Sequence, residues 1–301
     1  MQDNLANIDS DNSNKSNNNP VDTYSQSKLA VESEVAIVQS VIDLVNIKDP
    51  QIFTSLKLNG FLINVNKPLE WTSFDVVRSL KRYLPKKAKI GHAGTLDPLA
   101  SGVLILAVGI KTKTIDTIQA QPKTYIAEIT LGATTVTYDN EIPPKVINDS
   151  SLITDEAIKK VINTFVGNIE QTPPIYSALK HEGKPLYEYA RENKEFDVKS
   201  KTRVVEITSI AITDIKRVDK LDNLNQKITI INITVCCAKG TYIRSLAHDI
   251  GQALGCGGYL TSLIRTSVGE YTIEGSLELS HCPQIIQREF YKILQISNSL
   301  N

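Results

Sequence analysis

Apolar and polar residues alternate in several short segments of this chain, which is the pattern of a strand with one buried face. Strands of this kind are predicted at 61–65, 125–131, 210–215 and 228–235. The unbroken apolar run at 103–108 predicts a strand that is buried on both faces. Apolar residues at helical spacing predict helices at 73–84, 155–165, 243–254 and 283–294. Thr72 or Ser73 would cap the first helix, and Pro85 would end it.

The order of these elements predicts the fold class. Strands and helices mix along the chain without a strict β–α–β repeat, so we expect α+β: a mixed, mainly antiparallel central sheet with flanking helices. Three parts are expected, namely an N-terminal extension at 1–58, a folded core at 59–280 and a C-terminal helix within 281–301. The first 20 or so residues are rich in Asn, Ser and Asp and predict disorder, whereas 29–46 has the spacing of a helix.

Composition and charge narrow the class of protein. Hydrophobic residues make up 41% of the chain, which is enough for the core of a globular protein. The 33 basic and 33 acidic residues balance, but four of the basic and eight of the acidic residues lie within 1–58. The rest of the chain therefore carries 29 basic and 25 acidic residues, a net charge of +4 that is compatible with RNA binding.

The cysteines do not form a metal-binding pattern. Cys236, Cys237, Cys256 and Cys282 lack Cys-x-x-Cys spacing, and the only histidine near a cysteine in sequence is His281, so zinc is not expected. We interpret all four as reduced thiols of a cytoplasmic protein. No apolar run approaches the ~20 residues of a membrane span, and the first residues lack the pattern of a signal peptide.

A glycine-rich loop with a single carboxylate is the most informative segment. It runs from Lys89 to Gly102, has Asp97-Pro98 near its centre, and leads directly into the buried strand predicted at 103–108. Glycines permit tight turns and close approach of the backbone to a ligand, and Pro98 fixes the chain just after the acid. Such a loop suits a nucleophile, although an aspartate also caps turns in ordinary loops.

This loop, at Gly91–Gly102, resembles the catalytic signature of the tRNA pseudouridine synthase B (TruB) family. Five further segments resemble other motifs of that family in the same order: Asn66–Phe74, Lys123–Tyr125, Pro173–Lys180, Lys239–Arg244 and Leu254–Gly258. Together the segments cover roughly residues 61–275. An ordered set of this kind is far more specific than a single motif.

The resemblance implies a pseudouridine synthase-like fold and an isomerase that uses neither a cofactor nor a metal. The N-glycosidic bond of a uridine breaks, the uracil turns, and its C5 joins C1′. The family match assigns Asp97 to C1′, either as a nucleophile or as the group that drives proton loss at C2′ toward a glycal. Arg244 would bind this carboxylate through both arms of its guanidinium, since a carboxylate in a closed pocket needs a cation to stay charged. Tyr125 would stack under the flipped base and accept a proton.

Other site residues follow from the same match. Tyr242 and Leu263 are implied as pocket walls, and His92 as the residue that fills the space left by the flipped uridine. Without the match, Tyr125 would be read as an ordinary strand aromatic, Arg244 as a solvated or phosphate-binding residue, and His92 as a loop histidine bonded to backbone.

Basic and aromatic side chains interleave at about 173–200, which resembles the RNA-binding insertion of the family. The predicted RNA contacts there are Tyr176, Lys180, Lys184 and Arg191. A solvated helix with its tyrosines packed inward would give the same pattern, and we expect a mixture of the two.

The chain departs from the family pattern at two motif positions. Glu70 stands where the family usually has glycine, and Ile264 where it has arginine, although Arg265 remains. Both departures concern RNA-backbone contacts rather than the reacting bond. Only about thirty residues follow Tyr271, so we expect no C-terminal PUA domain, which many relatives carry.

The leading hypothesis is a tRNA pseudouridine(55) synthase that acts as a monomer on the T arm of tRNA in the cytoplasm. The alternative is a tRNA-folding chaperone or RNA-binding module with vestigial catalysis. Pseudouridine synthases for ribosomal RNA are a further, minor alternative. A glycosidase is disfavoured because it would need two carboxylates that flank the bond, and the motifs supply only one.

Overall fold

The strands of this chain are centred on one large mixed sheet. The computed structural model describes residues 55–192, 196–219 and 227–299. Its strands are β1 Phe61–Lys67, β2 Ile90–His92, β3 Ala100–Val108, β4 Lys123–Leu131, β5 Ala133–Thr134, β6 Lys145–Val146, β7 Gly167–Gln171, β8 Lys180–His181, β9 Lys184–Pro185, β10 Arg203–Val218, β11 Ile228–Cys237, β12 Gly258–Val268, β13 Tyr271–Thr272 and β14 Leu277–Glu278.

Ten of these strands form the sheet, in the order β14-β1-β3-β12-β4-β11-β10-β7, with β2 paired to β3 and β13 to β12. The pairs β1–β14 and β3–β12 are parallel, and the other pairs of this sheet are antiparallel. The predicted fold class is therefore confirmed. Strand β12 connects the two parts of the site, because it pairs with β3, which follows the glycine-rich loop, and with β4, which contains Tyr125.

The α-helices that follow β1 among the described residues are α1 Ser73–Lys81, α2 Ile115–Ala120, α3 Asp155–Asn163, α4 Leu186–Arg191, α5 Ile243–Ala253 and α6 Cys282–Ser299. Thr72 caps α1 through a capping box with Asp75, as the sequence predicted for Thr72 or Ser73. None of these helices is both long and apolar enough to cross a membrane.

The main hydrophobic core lies between the sheet and the helices α3 and α5. Ile231, Ile233 and Val235 of β11 project into it at every second position, as the alternating pattern predicted. Helix α5 lies unusually close to β12, because a Cβ on Gly251 would come within 2.0 Å of the backbone nitrogen of Gly258. That contact requires glycine at positions 251 and 258.

The described residues contain all the elements predicted within them, together with nine strands and, after β1, two short α-helices that were not predicted. The five predicted strands and four predicted helices are all present with shifted ends, and the last helix runs to Ser299 instead of 294. Strands β7 and β12 were not predicted. In β12, Arg265 and polar residues interrupt the apolar pattern, and the strand is recognised only by its pairing with β3 and β4.

Two predictions for the N-terminal extension, the disorder at about 1–20 and the helix at 29–46, lie outside the described residues. At the other end of the extension, Leu56 is only 1% exposed. The core thus already includes a residue that the sequence assigned to the extension. The boundaries at 59, 173–200 and 281 otherwise stay predictions.

Candidate active site

The loop that carries Asp97 is held by the elements on either side of it. Ser73, the first residue of α1, accepts a hydrogen bond from Leu96 N at 2.8 Å and donates one to Leu96 O at 3.0 Å. The next peptide is also fixed, because Glu70 N donates to Pro98 O at 2.8 Å. The Asp97 side chain remains 36% exposed, so a substrate can reach a carboxylate whose backbone is rigidly placed.

Arg244, in the first turn of α5, lies between two carboxylates. Its Nε is 2.9 Å from Asp97 Oδ2, in an ion pair that lacks hydrogen-bond geometry, and its Nη1 is 3.4 Å from Asp139 Oδ2. The same guanidinium donates to the carbonyl oxygens of Thr137 and Tyr176, each at 3.1 Å. Arg244 thus forms an ion pair with Asp97 through one nitrogen, and not the bidentate pair that was expected. Nη1 is used by Asp139 and the Thr137 carbonyl, and Nη2 by the Tyr176 carbonyl.

Tyr125 projects from β4 toward the same region. Burial raises the pKa of its phenol, while the nearby Arg265 guanidinium acts in the opposite direction. Arg265 is the residue of β12 that pairs directly with Tyr125, and only 1% of it is exposed. Directly paired residues of an antiparallel pair project to the same face. A fixed positive charge thus accompanies the residue to which a proton-transfer role is assigned.

Two buried lysines add positive charge around the loop. Lys67, at the end of β1, donates to the carbonyl oxygens of Pro68, Trp71 and Pro98, and burial lowers its pKa to about 8. Lys123, at the start of β4, donates to carbonyls in the turn before it, and burial again lowers its pKa to about 8. Both ammonium groups are stabilised by neutral carbonyl dipoles, which hold a charge less well than water does.

A cleft of about 760 Å³, which is within the range of small-ligand sites, is lined by several of these groups, including Lys123 and Arg265 but not Lys67. Of the predicted residues, Asp97, Tyr125, Tyr242, Leu263 and Arg244 line it. Gln171 fixes Tyr242 by accepting a hydrogen bond from its backbone nitrogen (2.7 Å) and donating one to its carbonyl oxygen (3.1 Å). Arg203 lies over the ring of Tyr242, 5.4 Å from its centroid. The structure therefore brings the implied catalytic set together.

His92 is not among the residues that line this cleft. It ends β2, its Nδ1 is buried without a hydrogen-bond partner among the described residues, and burial lowers its pKa. A neutral imidazole is therefore favoured. Its role at the site of the flipped nucleotide stays a prediction.

The insertion contacts the site through its backbone. The carbonyl of Tyr176 accepts from Arg244, and Ala178 and Leu179 line the cleft, whereas Lys180, Lys184 and Arg191 do not. These last three lie further along, in the β8–β9 hairpin and α4. Lys180 and Arg191 are exposed, but Lys184 is paired with Glu192. The insertion thus combines exposed bases with internally paired ones.

Several residues of the site were not singled out by the sequence. Asp139 sits in an irregular segment, and no local pattern connects it to Arg244. The buried cations Lys67, Lys123 and Arg265 could have been recognised from the sequence, because each occupies a position of its strand where the alternation predicts a buried side chain. In β1, for example, buried residues alternate with half-buried ones, so that Lys67 shares a face with Val65.

Comparison with known proteins matches most of the chain. Residues 81–243 match the family described as TruB family pseudouridylate synthase (N terminal domain), and residues 244–289 match the tRNA pseudouridylate synthase B C-terminal domain. The tRNA pseudouridine synthase B of Parabacteroides distasonis is 44% identical over 239 residues, which are 78% of this chain and 96% of the relative. That of Phocaeicola vulgatus is 40% identical over 235 residues, or 76% of this chain and 94% of the relative.

Two solved structures are similar in fold. One is a structure of an H/ACA RNP bound to a substrate RNA containing 2′-deoxyuridine, with a TM-score of 0.53 and 26% identity. The other is a Cbf5-Nop10-Gar1 complex, with a TM-score of 0.51 and 28% identity. The matches cover 76% and 77% of this chain, but only 54% and 55% of the chains in those structures.

Proposed function

Because this chain belongs to the TruB family of pseudouridylate synthases, we propose that it isomerises uridine 55 in the T loop of tRNA to pseudouridine. Relatives with at least 40% identity that carry the name tRNA pseudouridine synthase B support tRNA as the substrate. The choice of the T loop rests on the motifs. We place the protein in the cytoplasm, where its substrate would be.

The arrangement of Asp97, Arg244 and Tyr125 around one cleft carries this proposal. A uridine inside a folded loop must leave the base stack before a protein group can reach C1′, and extrusion costs a few kcal/mol. The cleft would receive the flipped nucleotide with its ribose at Asp97 and its uracil between Tyr125 and Leu263. His92 would occupy the space that the base leaves in the loop.

Asp97 then acts at the sugar. Its exposed carboxylate either attacks C1′ and forms an ester with the ribose, or assists loss of the C2′ proton to give a glycal. In both routes the bond between C1′ and N1 breaks and the detached uracil stays in the cleft. Arg244 would orient the carboxylate through Oδ2, so that Oδ1 can act at the sugar.

The uracil rotates and its C5 bonds to C1′; in the first route the ester bond to Asp97 breaks and frees the carboxylate, and in the second the proton returns to C2′. The C5 proton must then leave, and we assign it to the Tyr125 oxygen, which accepts the proton as the C–H electron pair restores the ring double bond. The insertion at 173–200 and the basic side chains of the cleft would hold the T arm through its phosphates. Three of these, Lys123, Arg203 and Lys239, line the cleft with Arg244 and Arg265.

The test is Asp97→Asn, which keeps the shape of the side chain and removes the carboxylate. Pseudouridine formation in purified tRNA should fall to a trace, while tRNA affinity stays within about twofold of the wild type, because one amide adds no clash. Pseudouridine is mapped after the reaction with whole tRNA and with an isolated T-arm hairpin. Product from the variant at more than a trace rate would exclude Asp97, and a hairpin that stays inert with the wild type would exclude recognition limited to the T arm.

A further inference from the structure

Arg265 is the largest fully buried side chain of the described residues. Its Nε donates to Val103 O at 2.7 Å, its Nη1 to Thr95 O at 3.3 Å and its Nη2 to Gly94 O at 3.3 Å. Within the described part of the chain, no carboxylate forms an ion pair with it, unlike Arg244. The guanidinium is thus a buried charge held by backbone carbonyls.

A buried charge of this kind contributes little net free energy to the stability of a fold. Removing an ion from water costs several kcal/mol, and carbonyl dipoles return only part of it. An apolar side chain of similar volume would pack between β3 and β4 without that cost. The position of the charge, rather than the packing of the side chain, therefore calls for an explanation.

The strand register connects Arg265 to both halves of the site. On one side it pairs with Gly102, at the end of the segment that carries Asp97. The approach is close, since Gly102 has φ +102° and a Cβ there would lie 2.2 Å from Arg265 O. On the other side Arg265 pairs with Tyr125. One residue thus touches the backbone of the Asp97 loop and lies beside the phenol.

We propose that Arg265 is a positioning residue for the isomerisation: it fixes the Gly94–Thr95 turn that places Asp97, and it supplies the positive charge that favours ionised Tyr125. This inference rests on the proposed function. The phenol must lose its own proton before it can take the one from C5, and a fixed cation lowers the cost of that ionisation. The proton on Tyr125 then passes to solvent, which restores the residue.

The surroundings of the phenol agree with this role. Burial raises the pKa of Tyr125, the Arg265 charge lowers it, and the Asp97 carboxylate in the loop raises it. Burial also raises the pKa of the Cys237 thiol on β11 to about 11, so Cys237 stays neutral near pH 7. Arg265 is the cation that opposes these effects at the phenol.

The experiment compares Arg265→Met, which removes the charge at similar length, with Arg265→Lys, which keeps the charge but cannot span the three carbonyls. Single-turnover rates on tRNA, tRNA affinity and thermal unfolding are measured from pH 6 to 9. The matched control is Arg217→Met, which removes a half-exposed guanidinium that also bonds a backbone carbonyl, that of Ile153.

We expect Arg265→Met to react about 100-fold more slowly with unchanged tRNA affinity, because loss of positioning by about 1 Å has effects of that order. Its rate should rise toward the wild-type rate only at higher pH. Arg265→Lys should lose about tenfold and shift the pH profile less than Arg265→Met does, and Arg217→Met should react normally. A wild-type rate in Arg265→Met overturns the proposal, and if that variant does not fold, a wild-type rate in Arg265→Lys does so.

A measurement without RNA separates this inference from the proposed function. Protein labelled with 3-fluorotyrosine is titrated by fluorine NMR, with the Tyr125 signal assigned through Tyr125→Phe. Both Arg265 variants should move the titration of Tyr125 to higher pH, and Arg265→Met should do so by more than Arg265→Lys. If only Arg265→Lys folds, its shift is the test. Tyr259, a buried tyrosine with 1% exposure, should not respond. An unmoved Tyr125 signal overturns the inference even if the wild type makes pseudouridine; a wild type that makes none overturns only the proposed function.

Discussion

Replacing Arg244 with methionine should destabilise the fold through the carboxylate that it leaves behind. The Arg244 side chain is 6% exposed and that of Asp139 is 8% exposed, with 3.4 Å between Nη1 and Oδ2. At an effective dielectric constant of 20, two unit charges at that distance attract by about 5 kcal/mol. The attraction to Asp97 is weaker, because that carboxylate is 36% exposed and water screens it.

Methionine removes this attraction and also the donors of two carbonyl bonds, but it removes the desolvation cost of the guanidinium as well. Deleting one partner of a buried pair generally costs about 3–5 kcal/mol, and we expect Arg244→Met to fall in that range. Asp139→Asn in the same chain removes the stranded charge and should restore at least about 2 kcal/mol. The double variant should fold and still form no pseudouridine, because Asp97 lacks its cation.

Urea unfolding of the wild type, the two single variants and the double variant gives the coupling energy directly. Lys216→Met is the control, because its pair with Asp214 is 63% and 44% exposed and should contribute less than about 1 kcal/mol. A coupling energy below about 1 kcal/mol between Arg244 and Asp139 would contradict a buried network. An active double variant would contradict the role of Arg244 toward Asp97.

Three further outcomes follow from local features. Glu70 is exposed and has φ 66°, so Glu70→Gly should stabilise the protein by roughly 0.5–1 kcal/mol in urea unfolding, and a loss of stability would contradict backbone strain at this position. Burial lowers the pKa of Lys67 to about 8 from 10.5, so the unfolded state binds more protons between these pH values and wild-type stability should rise there relative to Lys67→Met. A stability difference that stays constant from pH 8 to 10 would contradict this. Neutralising Lys180, Lys184 and Arg191 together should weaken tRNA binding and reduce the slope of log affinity against log salt by about two, because Glu192 already neutralises Lys184. An unchanged slope would show that the insertion does not contact phosphates.

The deviation from the family motif at Glu70 affects the conformation of the backbone. The family usually has glycine there, and the structure places the residue in the left-handed region, where a side chain costs about 1–2 kcal/mol. The sequence comparison suggested a change in RNA contacts. The physical consequence is at least as much conformational, because Glu70 N also anchors the loop at Pro98 O.

Strands with regular alternation could be predicted from the sequence, and so could the gathering of the motif residues at one cleft. Strand β12 could not, because its buried arginine violates the rule that inward positions are apolar. Buried charged residues of this kind nevertheless indicate where the site lies. Lys67, Lys123 and Arg265 each occupy a buried position of a strand, and all three lie around the Asp97 loop or line the cleft. A lysine or arginine at a buried position of a strand therefore indicates a functional site, and a search for apolar residues alone overlooks it.

The partner of Arg244 could not be found in this way. Asp139 follows Tyr138, which has φ 62°, in a segment without periodicity, and it reaches Arg244 across more than a hundred residues of sequence. The bidentate pair was expected because the planar fork of a guanidinium matches the two oxygens of a carboxylate. A guanidinium has five donors, and the fold distributes them over both carboxylates and two carbonyls. Tertiary structure, rather than residue type, decides this geometry.

The whole chain has no net charge, but it is compatible with a polyanionic substrate because positive charge is concentrated at the cleft. Five cationic side chains, Lys123, Arg203, Lys239, Arg244 and Arg265, line the cleft with only Asp97 and Asp116. Within a low-dielectric pocket this excess attracts an anion more strongly than the same charges would on an open surface. Phosphates that flank a flipped nucleotide would be drawn toward the wall that carries Arg203 and Lys239, while the paired Asp97 and Arg244 remain for the sugar. Affinity should therefore depend on salt even for a short T-arm hairpin, because the cleft itself, and not only the insertion, carries the charge.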